Sequence, residues 1–107
     1  MGIKRNYELK STPESWGKSV NLHTNDSKNI EIGLFTVEPD KSMAIHSHKE
    51  ADELIYVIKG TANFLVNGEE SVLAEGSVIL IPKRVKHKAY NLGSKPYECL
   101  YIVSEII

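Results

Sequence analysis

The chain has 107 residues, 41% of them hydrophobic and 25% charged, which suits one globular domain and leaves no room for a second. With 13 Lys and Arg against 14 Asp and Glu, there is no basic field to favour nucleic acid, and no segment has the apolar length of a transmembrane helix or the apolar run of a signal peptide. Cys99 is the only cysteine, so an internal disulfide is excluded and a reducing cytoplasm is the expected compartment.

Residues 1–28 are polar and turn-prone, with Pro13, Gly17 and the run Asn25-Asp26-Ser27-Lys28-Asn29, and read as an extended N-terminal arm. Trp16 and Val20 are its anchors, for the body or for a partner chain. Residues 29–107 read as one domain of short strands separated by turns. Strands are predicted over 30–37, 43–48, 53–58, 61–66, 70–73, 78–81, 86–91 and 97–107. Asn67-Gly68 between two of them is a type I′ hairpin signal, because both central positions need positive φ. Nothing in the pattern suggests an amphipathic helix or a repeat, so the fold class is all-β, a sandwich or barrel.

Three histidines and a glutamate stand at fixed offsets along these strands. His46 and His48 are two apart and, on a strand, point to the same side. Glu53 follows, with six residues between it and Gly60; then come Gly76, Pro82, His87 and Asn91. Imidazole nitrogen and carboxylate oxygen are donors for a divalent transition metal. Burying three imidazoles and a carboxylate with nothing between them would be costly. Parity puts Ile55 and Val57 on the face of Glu53, and Ala89 and Asn91 on the face of His87. Asp52, Tyr56 and Tyr90 then point away. His23 lies outside this pattern and reads as a surface side chain.

The spacing resembles the two motifs of the cupin family. The first runs G, five residues, H-x-H, three or four residues, E, six residues, G; the second runs G, five residues, P-x-G, two residues, H, three residues, N. His46, His48, Glu53, Gly60, Gly76, Pro82, His87 and Asn91 match in register. Asp40 and Arg84 stand where each motif has a further glycine. The resemblance implies a small jelly-roll barrel holding one divalent ion (Mn, Fe, Ni, Co or Zn) on His46, His48, Glu53 and His87.

Such an N₃O set leaves open positions on a six-coordinate ion, as catalytic sites do. The expected function is an enzyme acting by Lewis-acid catalysis, of the isomerisation or ketonisation type, on a small anionic sugar or organic acid. An Fe(II) dioxygenase and a non-catalytic ligand-binding or sensing module are the alternatives. Arg84, beside the third histidine, is a candidate contact for a substrate carboxylate. Tyr97 and Tyr101 share one face of the last strand and Glu98 the other, with the inward face left open. Apolar residues near strand edges, Tyr56 and Ile58 among them, suggest a homodimer.

Overall fold

The computed structural model describes residues 9–23 and 30–105, and they contain nine strands and no helix. These are β1 (Ser11–Glu14), β2 (Gly17–His23), β3 (Ile30–Val37), β4 (Asp52–Lys59), β5 (Ala62–Val66), β6 (Glu69–Leu73), β7 (Val78–Ile81), β8 (His87–Tyr90) and β9 (Tyr97–Ser104). They form two antiparallel sheets, a six-stranded one in the order β1-β2-β3-β9-β4-β7 and a three-stranded one in the order β6-β5-β8. The fold is an all-β jelly roll. No helix among the described residues is long and apolar enough to cross a membrane.

The core lies between the sheets, where period-two alternation aims every second side chain inward. On β3 these are Gly33, Phe35 and Val37; on β4, Glu53, Ile55 and Val57; on β9, Tyr97 and Cys99. Phe64 of β5 and Ala89 of β8 close the core from the smaller sheet. The Cys99 thiol is fully buried, and burial, then the charge of Glu98, pushes its pKa up to about 12. The β5–β6 turn is the expected hairpin: Asn67 and Gly68 have φ of 51° and 82°.

Two segments differ from the sequence pattern. The part of residues 1–28 that is described forms a hairpin, β1–β2, added to the edge of the large sheet through β3. All four side chains of β1 are exposed, so no alternation announces it. Residues 43–48 do not form a regular strand. They run beside β8 through two isolated bridges, Ser42 with Tyr90 and His46 with His87, with one residue more on the 42–46 side than on the 87–90 side. That extra residue breaks the ladder, as a bulge does.

Asp40 and Arg84, the residues at the two missing glycines, both keep left-handed backbone, with φ of 62° and 69°. The turn at Arg84 is pinned from two sides. Its N–H donates to His48 O at 2.6 Å, and the neighbouring Lys83 N–H donates to Asp52 Oδ1 at 2.8 Å. A left-handed residue with a Cβ costs about 1–2 kcal/mol, and glycine returns about 0.5–1 kcal/mol of that in chain entropy. Arg84→Gly should therefore raise stability by up to about 1 kcal/mol, and the β-branched Arg84→Val should lower it by more than about 1 kcal/mol. Chemical denaturation measures both; a clear loss in the glycine variant would show that the side chain of Arg84 holds the turn.

Candidate metal centre

Each member of the four-residue set is brought in by a different piece of backbone. Glu53 points inward from β4, one residue after Asp52 turns out to the Lys83 amide. His87 opens β8 and is almost wholly buried, 3% exposed, as is Glu53 at 6%. His46 is tied to His87 by a reciprocal backbone pair: His46 N–H donates to His87 O at 3.0 Å, and His87 N–H donates to His46 O at 2.8 Å. His48 follows two residues on, half-buried, while His46 is exposed at the rim. The four donor atoms all lie within 4.8 Å of one another.

Ring orientation follows from hydrogen bonding. His46 Nδ1 lies 3.0 Å from Ala44 O, and His87 Nδ1 lies 2.9 Å from Val85 O. A carbonyl only accepts, so each Nδ1 carries its hydrogen and each Nε2 keeps a lone pair. For His87 that lone pair faces Glu53 Oε1 at 2.8 Å; His48 Nε2 lies 3.3 Å from the same oxygen. Two acceptors so close need a proton or a metal cation between them. Neighbouring donors on an octahedral ion with bonds of about 2.1 Å lie about 3.0 Å apart. The donor set therefore fits a divalent ion.

The set lines one side of a cavity of about 400 Å³ between the sheets. Met43, Ile55, Phe64 and Ala89 make its apolar floor. On the far side Trp16, Phe35 and Tyr101 form an aromatic wall, with ring centroids 6.2 Å and 6.0 Å apart along the series. Tyr101 lies flat across β3 because its cross-strand partner is Gly33; a Cβ at Gly33 would come within 2.5 Å of the phenol. Burial first, then the charge of Glu31 and a hydrogen bond to it, with Glu53 and Glu14 further off, raise the Tyr101 hydroxyl well above its ordinary pKa. It keeps its proton throughout the neutral range.

Other sequence-derived candidates fall elsewhere. Arg84 is exposed, donates from Nε to Lys49 O at 3.3 Å and is not among the residues lining the cavity. Glu98 is on the outer face of β9, whereas Tyr97, Cys99 and Tyr101 face inward. Tyr97 is a core residue, its hydroxyl donating to Tyr90 O at 2.7 Å. Asn91 is structural: buried, its Nδ2 donates to Val37 O and Lys95 O, and its Oδ1 accepts from Gly93 N. The sequence reading missed Glu14 and Glu31, which line the cavity. The alternation of 31 with 33, 35 and 37 was the signal for Glu31.

The family model described as a cupin domain matches residues 33–103, more than half of the chain. The chain belongs to the cupin family. Mannose-1-phosphate guanylyltransferase ManC of Salmonella typhimurium is 28% identical to this cupin over 89 residues, which are 83% of the chain but 18% of that enzyme. The chain thus spans less than a fifth of this relative. Among solved structures, KdgF from Halomonas sp. superposes with a TM-score of 0.85 at 17% identity, covering 100% of this chain and 96% of its own. An RmlC-like cupin from Shewanella frigidimarina gives 0.84 at 17%, covering 99% and 92%. Both show the fold.

Burial lowers the pKa of His87, but the hydrogen bond to Glu53, the Val85 carbonyl and the Glu53 charge together outweigh it and raise the value above 6.5. A folded-state value above the unfolded one stabilises below the unfolded pKa, and the gain is lost as pH rises through the folded value. The metal-free cupin should accordingly lose melting temperature as pH climbs from 6.5, and Glu53→Gln should flatten that slope. Metal uptake should run the other way and weaken on acidification, because proton and metal compete for one Nε2. Melting curves of chelator-treated protein across pH, with and without added Mn(II), check both signs.

Proposed function

We propose that this cupin is a mononuclear metal enzyme acting on a small anionic sugar or organic acid by isomerisation or ketonisation. The reading is carried by the approach of His87 Nε2 to the buried carboxylate of Glu53 at 2.8 Å, an arrangement that calls for a cation. His46, His48, Glu53 and His87 would hold a divalent ion, which would supply Lewis acidity toward a chelating carbonyl or hydroxyl and its neighbouring C–H. The chain's own residues do the rest. The carbonyls of Ala44 and Val85 hold two imidazoles in the ligating tautomer. The apolar floor excludes water from the reacting carbon, and Tyr101 holds a proton at its hydroxyl oxygen within the same cavity. ManC, by its name, acts on mannose 1-phosphate, and a sugar ligand is in keeping with that likeness.

Elemental analysis of untagged protein purified without chelator should find about one transition metal ion per chain, lost in His46→Ala. A panel of keto and hydroxy acids in deuterated water should show exchange at the carbon next to the carbonyl, read by NMR. No metal in the native protein and none taken up on titration would sink the enzyme reading.

We further propose a cytoplasmic homodimer. Tyr56 and Ile58 of β4 and Val78 and Leu80 of the edge strand β7 are 38–60% exposed on one outer face. A contiguous apolar face on a sheet edge favours pairing with a second copy. Light scattering should give twice the chain mass, and Val78→Glu with Leu80→Glu should halve it; a monomeric wild type removes the proposal.

A further inference from the structure

The cavity has two chemically different ends. At one stand three imidazoles and Glu53; at the other stand Glu31 and the Tyr101 hydroxyl, with Glu14 elsewhere on the same wall. No Lys or Arg lines it among the described residues. A ligand that chelates through a carboxylate finds its positive charge at the metal end alone.

The strand register measures the distance between the ends. Val103 of β9 pairs with Glu31 on one side and with Glu53 on the other. The two glutamates therefore lie on one lateral row of the sheet, two strand spacings or about 10 Å apart in the backbone. A five- or six-carbon chain spans that row with its head at Glu53 and its tail at Glu31. Glu14 also lines the cavity, but the register sets it across β2 from Val37, at the opposite end of β3 from Glu31, with its Oε2 accepting from Ser19 Oγ at 2.8 Å. Gly33 leaves the space in which the Tyr101 ring lies between the two ends.

We propose that Glu31, with the Tyr101 hydroxyl beside it, is the specificity-determining residue for the far end of the ligand, accepting hydrogen bonds from hydroxyls there and rejecting a second negative charge. An ionised carboxylate offers only acceptors, so a hydroxylated tail satisfies it and a carboxylate or phosphate tail does not. Like charges in a cavity walled by apolar side chains are poorly screened. The ligand class is thus a polyhydroxylated monoacid, charged at its chelating head and neutral at its tail. This inference rests on the reading of the histidine cluster as a metal site.

Three acids with the same hydroxy-acid head and different tails test it: gluconate, glucarate and 6-phosphogluconate, titrated calorimetrically into Mn(II)-loaded protein. Gluconate should bind at least about tenfold more tightly than either acid with a charged tail. Glucarate carries a hydroxy-acid head at each end, so a bias against it cannot arise from counting. In Glu31→Gln, which keeps an acceptor and removes the charge, the preference should fall to within about threefold, mainly by tightening of the acids with charged tails. Glu14→Gln should shift the ratio the same way by less, and serves alone if the first variant does not fold. Tyr101→Phe should weaken gluconate and leave the preference against charge in place. Equal binding of the three acids to the wild type, no binding of gluconate, or an unchanged ratio in the glutamine variants would overturn the proposal. Metal uptake with no charge preference overturns this inference alone; absence of metal uptake overturns the metal reading with it.

Discussion

Two backbone hydrogen bonds exchanged between His46 and His87 hold the site together. They are the point at which an irregular segment, 42–48, is clamped to the smaller sheet. Without that clamp the segment would keep only its ties on either side, Met43 N–H to Ala89 O and Arg84 N–H to His48 O. With it, donors from β4, β8 and the segment before β4 converge within 4.8 Å. The same edge also fixes the floor of the cavity, since Met43 N–H donates to Ala89 O at 2.9 Å one step along it. A single register thus couples where the ligands point to how the floor beneath them is packed.

The electrostatics of the interior follow from this placement. Glutamates 14, 31 and 53 share one cavity between sheets whose packed side is apolar. Glu53 is balanced by whatever cation the imidazoles admit, proton or metal. Glu31 is half-buried and Glu14 exposed, so water reaches both. The Tyr101 phenol lies beside Glu31, and its position depends on a residue with no side chain, Gly33. The large sheet therefore supplies the three glutamates and Tyr101, the small sheet supplies His87, Phe64 and Ala89, and the segment before β4 supplies His46 and His48.

Most strands were legible because they alternate or run apolar between turns: 30–37 and 78–81 agree with the structure at both ends, and Asn67-Gly68 makes the predicted turn. Glu53 was distinguishable from Asp52 by its spacing to Gly60, and the structure places them on opposite faces. Other features had no local signature. The β1–β2 hairpin is polar on the outside and joins the sheet through backbone pairing, which composition does not record. Residues 43–48 look like a strand, but their ladder fails where an extra residue is accommodated. Glu31 on a strand suggests a solvent face unless the parity of Phe35 and Val37 is carried back to it. The meaning of Gly33 depends on Tyr101, which the chain brings beside it only through β3–β9 pairing.

The turn at Arg84 bears on how such a chain can change over generations. The left-handed backbone there is retained without the glycine that makes it easy, and it is held by the His48 carbonyl and the Asp52 carboxylate. Both supports belong to residues in or next to the ligand set. His48 lends only a main-chain carbonyl that any residue would offer, so replacement of glycine at 84 is conditional on what stands at 52, an epistatic arrangement in which the order of substitutions matters. Asp52, which contributes no donor to the cluster, becomes hard to replace once position 84 carries a side chain. Its persistence would then record a backbone shape, and counting it as a ligand would misread the lineage.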